Sequence, residues 1–190
     1  MFFRKPKPTA VVFDIDKTLL KSQFFFKPSG GFDHPRFAKW AQETDTPGIA
    51  STVAALHNAR RQGHEIHLIT ARPETLRRST YRQLSKAGIP FHGMYFAKGT
   101  EAPSGPASVL YKSSTRAEIA KTRSIIASYG DSPTDFLGKH TGTKWQVVNE
   151  SSIVRYQQSV SRTKTIMKLG GTKSGAGKVL GAIARLGKSL

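Results

Sequence analysis

The chain has 190 residues, no cysteine, and 30 Lys and Arg against 12 Asp and Glu, a formal net charge of +18. That length holds one α/β domain with a sizeable core and a tail, and the absence of cysteine excludes disulfides, a thiol nucleophile and a thiolate zinc site. The charge points to polyanionic partners, among them phosphorylated substrates, nucleic acid or an anionic membrane surface, beside the plainer reading that it keeps the protein in solution.

Ala10 to Phe13 is an apolar, β-branched-rich run of the kind that forms a central parallel strand. It ends in Asp14 and Asp16, at the place where open α/β sheets bind ligands. Two carboxylates that close need a cation or a shared proton. Mg²⁺ suits them because it takes carboxylate oxygens and keeps water and phosphate as its other ligands. The bland alternative is a strand followed by an Asp-rich turn.

From 21 to 45 the regular pattern breaks down, with Phe24, Phe25, Phe26, Phe32, Phe37 and Trp40 interrupted by Pro28, Gly30, Gly31 and Pro35. This insertion reads as a flap, or minimal cap, over the crevice. Its aromatics either stack on a substrate ring and exclude water, or plug the flap onto the core. A helix follows, with Thr46 as N-cap, Pro47 at its first position and Ile49, Val53 and Leu56 on one face; Arg60 and Arg61 suit its last turn and Gly63 its stop. His64 to Thr70 reads as the second strand. A second helix is expected from Pro73 to Ala87, its first-turn N–H groups facing the crevice and favouring an anion.

The third strand is expected near Gly93–Phe96. Val109 to Lys112 leads into a helix start at Ser113, where Thr115 and Glu118 have capping-box spacing, and this helix runs to about Thr122. Ser124–Tyr129 is a fourth strand, ending in the polar turn Gly130–Asp135 and a short helix. Lys144–Asn149 is a fifth. The alternation predicts an α/β, Rossmann-like three-layer sandwich with a mainly parallel central sheet.

The sequence divides at Glu150. Beyond it there is no acidic residue, and Arg155, Arg162, Lys164, Lys168, Lys173, Lys178, Arg185 and Lys188 make 151–190 a basic tail. A poorly patterned helix is expected within 151–165 and a Gly-rich linker over 170–177. The stretch 178–190 is a cationic amphipathic segment with Val179, Ile183, Leu186 and Leu190 on one face. The tail is expected to bind nucleic acid or an anionic membrane surface. The basic, Pro-broken start MFFRKPKPTA has too short an apolar run for a signal peptide, and no stretch reaches the roughly 18 residues of a membrane span; a cytoplasmic location is expected.

Four groups of polar residues now stand in order: Asp14 with Asp16, Thr70, Lys112, and Asp131 with Asp135. Together they suit phosphoryl transfer. One carboxylate attacks phosphorus, a second moves the proton of the leaving oxygen and of the attacking water, a hydroxyl and an ammonium hold the phosphoryl oxygens, and a further carboxylate completes a Mg²⁺ site. Lys121 is a rival for the ammonium.

The set resembles the haloacid dehalogenase-like phosphatases, whose motifs are Asp-x-Asp-x-Thr, a strand ending in Thr or Ser, a lysine, and Gly-Asp-x-x-x-Asp. All four occur over residues 10–150. The resemblance implies Asp14 as nucleophile, Asp16 as general acid/base, and Thr70 and Lys112 as phosphoryl-binding residues. It implies Mg²⁺ held by Asp14, the main-chain carbonyl of Asp16 and Asp131, with Asp135 in support. Ile69-Thr70-Ala71-Arg72, Arg78 and Leu84 before Gly88-Ile89-Pro90, Tyr111-Lys112-Ser113 with Arg116, and Gly130-Asp131-Ser132 with Asp135 are similar to the plant and class B acid phosphatase branch, which lacks a large cap. Lys17 departs from the Gly or Glu common at that place in the family. Lys17, Arg72 and Arg116 are candidate substrate contacts, although either arginine could instead pair with an acidic neighbour. The expected substrate is a phosphate monoester, with a nucleotide or a nucleic-acid end as the class. The rival reading is a binding protein that acts through its tail and keeps a vestigial or regulated site.

Overall fold

The computed structural model describes residues 6–157. β1 (Thr9–Phe13) lies at the centre because both its faces are apolar: Ala10, Val11, Val12 and Phe13 are all buried. It pairs in parallel with β2 (Glu65–Pro73) on one side and β4 (Ser124–Gly130) on the other. With β3 (Gly93–Ala97), β5 (Thr143–Asn149) and β6 (Ser152–Arg155), the sheet has the order β3-β2-β1-β4-β5-β6, and only the β5–β6 pair is antiparallel.

Alternation along β1 assigns the layers. Val11 and Phe13 face one cluster, which α2 (Ala50–Arg61) and α3 (Arg77–Lys86) join through Leu56, Ala59 and Leu84. Val12 faces the other side, where α4 (Gly105–Thr122) contributes Ile119. Phe13 stacks on Tyr129 of β4 at 4.6 Å between centroids, so the two strands whose ends carry the acidic motifs are also joined by their last aromatic pair.

Several expectations are corrected. The 21–45 insertion contains a helix, α1 (His34–Glu43). The Asp33 carboxylate accepts the Arg36 N–H at 3.1 Å and Pro35 sits in the first turn, a start signal the surrounding glycines and prolines obscured. Thr46 does not cap α2, which begins at Ala50; its hydroxyl donates instead to the Lys21 carbonyl at 3.0 Å. β2 continues past Thr70 to Pro73, and a 3₁₀ turn (Glu74–Leu76) separates it from α3. The first turn of α3 therefore does not follow the strand end directly. α4 starts at Gly105 with Pro106 in its first turn, so Thr115 is mid-helix and donates back to the Tyr111 carbonyl at 2.9 Å. Where a helix was expected within 151–165, residues Ser152–Arg155 extend the sheet. Residues 158–165, the 170–177 linker and the 178–190 amphipathic segment lie outside the described residues.

β4 ends under the acidic turn. A Cβ on Gly130 would lie 2.3 Å from Oδ2 and 2.4 Å from Cγ of Asp135, well inside contact distance. Gly130→Ala is therefore expected to cost about 1–3 kcal/mol, the usual range for overpacking, by displacing the Asp135 turn; urea unfolding of the variant against wild type measures it, and an unchanged midpoint would contradict this packing.

Candidate active site

The loop after β1 is wound tightly around one carbonyl. Ile15 O accepts the N–H groups of Thr18, Leu19 and Leu20, while Asp14 N–H still donates to Tyr129 O at 3.0 Å as if the strand continued. Lys17 completes the turn in the left-handed region at φ +56°. Asp14 and Asp16 consequently line the same cavity.

Asp14 is 6% exposed. Its Oδ1 accepts from Lys112 Nζ at 2.7 Å, and Thr18 Oγ1 approaches Oδ2 at 3.4 Å. Lys112, carried inward by α4 and itself 5% exposed, also donates to Asp135. Lys121, the rival lysine, is exposed and paired with Glu118. Asp135 Oδ2 accepts the Ser132 N–H at 3.0 Å while Ser132 Oγ accepts from Thr134 N–H, a reciprocal cap on the 3₁₀ turn Pro133–Asp135. Carboxylate oxygens of Asp14, Asp131 and Asp135 all lie within 4.8 Å of one another.

The physical consequence is crowding of negative charge. Burial pushes the Asp14 carboxyl well above its ordinary value; Lys112 pulls it down, while Asp135, Asp131 and Asp16 push it up further. Asp131 is pushed up to about 7, first by burial and then by the charge of Asp135. Burial would lower the Lys112 ammonium, but Asp135 and Asp14 outweigh it and hold Lys112 firmly charged. The donor set fits a hard divalent cation: all ligands are carboxylate oxygens, and three carboxylates face a single ammonium.

Asp16 has a different environment. Arg72 Nε reaches both its oxygens, at 3.1 and 3.0 Å, and Nη2 donates to Oδ1 at 2.7 Å; Ser22 Oγ adds a bond of 2.5 Å. Burial pushes the Asp16 carboxyl up, but Arg72 and Ser22 outweigh this and leave it below the ordinary range. Arg72 Nη1 is used by Thr80 Oγ1 and Gln83 Oε1, at 2.9 and 2.7 Å.

The other expected residues separate. Thr70 is fully buried; its hydroxyl accepts the Arg72 N–H at 3.1 Å, and Ala71 and Arg72 line the cavity in its place. Arg72, 1% exposed, is the partner of Asp16, which occupies the donors a substrate contact would need. Arg116 is likewise taken up by the protein itself: it donates to the carbonyls of Asp135 (2.9 Å), Leu137 and Lys139 (3.3 Å), and burial lowers it to about 10. It holds the loop behind the acidic turn. Lys17 is exposed, with Nζ 4.2 Å from the centroid of the Phe24 ring.

Above the carboxylates, Phe24, Phe26, Phe32, His34 and Phe37 wall a cavity of about 340 Å³. Of the two jobs expected of the aromatics, packing is the one observed: Phe37 is buried with Ala41 and Leu76, Phe24 and Phe32 pack against that cluster, and the same rings line the cavity. Ser104, Gly105 and Ser108 bring the start of α4 to the wall, so the positive end of this helix, rather than α3, meets the cavity. Sequence reasoning missed Ser22, Gln83 and the start of α4. Thr80 and Gln83 gave one signal, as polar side chains at inward positions beside Leu84.

Comparison with known proteins agrees with this geometry. The profile of the HAD superfamily, subfamily IIIB (Acid phosphatase) matches residues 1–166. Stem 28 kDa glycoprotein of Glycine max is 28% identical over 142 residues, 72% of this chain and 56% of the relative. Acid phosphatase 1 of Solanum lycopersicum is 27% identical over 132 residues, 67% of this chain and 51% of the relative. The chain thus spans about half the length of the curated relatives it matches. Among solved structures, the class C acid phosphatase from Bacillus anthracis superposes with a TM-score of 0.55 at 17% identity, covering 98% of this chain and 80% of that one. A chain of the Pnkp1/Rnl/Hen1 complex gives 0.56 at 17% identity, covering 74% and 46%. These structural likenesses establish the shared fold, and the profile match over most of the sequence establishes the lineage: the chain belongs to the HAD superfamily, subfamily IIIB (acid phosphatase).

Proposed function

We propose that the protein is a Mg²⁺-dependent phosphomonoesterase that works through an aspartyl-phosphate on Asp14. The observation that carries this reading is geometric: two carboxylates two residues apart line one cavity, Asp14 within reach of Asp131, Asp135 and Lys112, and Asp16 gripped by Arg72. With the acidic cluster unneutralised, the electrostatics run against the two roles, raising Asp14 and lowering Asp16; a cation in the cluster would favour the ionised form of Asp14, and the charge of a phosphoryl group beside Asp16 would raise that carboxyl.

A carboxylate oxygen of Asp14 attacks phosphorus as the bond from phosphorus to the leaving oxygen breaks. The electron pair goes to that oxygen, which takes a proton from Asp16. Water then attacks the phosphorus of the acyl phosphate and gives its proton to Asp16, phosphate departs, and the Asp14 carboxylate is restored. Lys112 Nζ, fixed between Asp14 and Asp135, offsets charge on the phosphoryl oxygens, and the start of α4 offers a further favourable potential. Thr70, expected as a phosphoryl-binding hydroxyl, is set back from the cavity wall and would have to turn its Oγ1 toward the phosphoryl oxygens to serve. Asp14, the Asp16 carbonyl and Asp131, with Asp135 behind them, would hold Mg²⁺. When bound, the cation neutralises the acidic cluster and polarises the phosphoryl group.

The substrate class we propose is a monoester whose leaving group carries a planar ring, a nucleotide or a nucleic-acid end, because five aromatic side chains face the carboxylates. Hydrolysis of end-phosphorylated oligonucleotides beside free nucleotides separates the two: a preference for mononucleotides indifferent to salt excludes the polymer. A vestigial site has less support, since the acidic cluster and its lysine are in contact geometry. The tail beyond residue 150 is proposed as the part that meets polyanions.

Two outcomes are expected. Asp14→Asn should reduce phosphate release from an aryl phosphate more than about a thousandfold with an unchanged far-UV spectrum, and a chelator should silence wild type; a turnover that survives both would refute the mechanism. In addition, Asp131, pushed up to about 7, holds part of a proton near neutrality that a cation must displace, so cation affinity should rise as pH rises through about 7 and then level off. Calorimetric titration with Mg²⁺ in buffers of different ionisation enthalpy reads the released protons. Binding without proton release at about pH 6 would contradict the cluster's electrostatics.

A further inference from the structure

We propose that Gln83 is a positioning residue for Asp16: acting through Arg72, it fixes the orientation of that carboxylate and couples it to the seating of the flap. The inference rests on the reading of Asp16 as the proton carrier.

Gln83 is fully buried on α3 and uses both ends of its amide. Oε1 accepts from Arg72 Nη1 at 2.7 Å, and Nε2 donates to the Thr44 carbonyl at 2.7 Å. Thr44 is the residue that closes the flap helix α1. Its neighbour Arg82 takes further carbonyls of the same helix end: Nη1 donates to Gln42 O at 2.6 Å, and Nη2 to Ala41 O and Thr44 O at 3.2 and 3.3 Å. A helix end leaves such carbonyls without intrahelical partners, and α3 supplies the donors. The flap is therefore tied to the domain at the point where Gln83 also holds Arg72.

Arg72 has a planar fork with five donors in fixed directions. Nε and Nη2 grip Asp16, with Ser22 at the edge, while Nη1 is set by Thr80 and Gln83. A rigid fork transmits orientation. When Nη1 is anchored, the face that grips Asp16 is anchored too. The same guanidinium lies 5.5 Å from the Phe37 ring of α1, so a shift of the flap moves a wall of the arginine's own pocket. With Gln83 removed, Nη1 keeps only Thr80, the fork gains freedom, and the carboxylate it carries loses its aim at the leaving oxygen. Proton transfer needs hydrogen-bond distance, and misplacement by an ångström can cost about a hundredfold.

The diagnostic quantity is dependence on the leaving group. 4-Nitrophenyl phosphate releases a phenolate that needs no proton, whereas benzyl phosphate carries a similar ring but releases an alkoxide that does. In Gln83→Met, kcat/KM for benzyl phosphate should fall about 10- to 100-fold more than for 4-nitrophenyl phosphate. Thr80→Val, which removes the other support of Nη1, should change the ratio in the same direction by less. The ratio of the two substrates does not depend on how much of a variant is folded, so partial misfolding leaves the test intact. Equal losses on both substrates in both variants, or no loss, would overturn the proposal. Asp16→Asn is the control. If it spares 4-nitrophenyl phosphate relative to benzyl phosphate, the proton-carrier reading holds and the Gln83 result stands alone; if it suppresses both equally, that reading fails and takes this proposal with it.

Discussion

Four carboxylates gather where β1 and β4 end, and only Lys112 and Arg72 pair with them among the described residues. Most of the local architecture follows from the need to relieve that repulsion. α4 buries a lysine along its length to deliver one ammonium between Asp14 and Asp135. β2 runs on past Thr70 so that Arg72 arrives beside Asp16. Burying these groups is expensive unless each charge is paired. With every acid ionised, as a bound cation would hold them, Lys112 with Asp14 and Asp135 leaves an uncompensated negative charge, and Asp131 adds another. The remaining deficit matches a divalent cation, and for that reason the site reads as a binding site rather than a structural salt-bridge network.

The same crowding makes Asp14 and Asp16 different. They are two residues apart and face one cavity, yet burial and other acids raise one while Arg72 lowers the other. The cause is where the cationic partners come from: Lys112 is delivered by α4, which packs on one face of the sheet, and Arg72 by the extended end of β2 within the sheet. Parallel strands with helical crossovers bring those donors from different layers, so the difference between the two acids is a product of topology as much as of local sequence.

The acidic motifs were legible in the sequence because each rests on one short strand and a polar turn, and such local patterns survive folding. β1, β3, β4 and β5 were found within a few residues for the same reason. Helix starts were less legible. Thr46 followed by Pro47 has the composition of a cap, but its hydroxyl is claimed by Lys21 O, a partner 25 residues away. α4 was placed eight residues late because its Gly-Pro-Ala-Ser start reads as loop, although Pro106 suits a first turn. For Arg72 and Arg116 the sequence left substrate contact and pairing with an acidic neighbour open; Arg72 takes the second role with Asp16, and Arg116 takes neither. An arginine near an active site has the same sequence signature whether it faces substrate or carbonyls, and only the folded loop reveals that the carbonyls of Asp135, Leu137 and Lys139 converge on Arg116. The antiparallel β6 was missed because four residues carry too little periodicity to outweigh the basic, polar composition around them.

Lys17 shows how the loop and flap depend on each other. It occupies a left-handed conformation where a glycine would be free of strain, and a non-glycine residue there costs roughly 1–2 kcal/mol. Its ammonium over the Phe24 ring returns about 0.5–1 kcal/mol at an exposed position, which does not cover the cost. The balance is met by the turn itself: three N–H groups converge on the Ile15 carbonyl, and Lys17 N–H closes onto Leu20 O at 2.9 Å. The loop holds the lysine in this conformation because it must present Asp14 and Asp16 together. The lysine's long side chain then reaches the aromatic wall, and Phe24 in turn contacts Phe32 and Phe37 edge-on at 5.6 and 6.0 Å. The strained position next to the acid pair is thereby linked by direct contact to the rings that line the cavity above the carboxylates, so the loop meets the flap on this side as α3 meets it through Gln83 and Arg82 on the other.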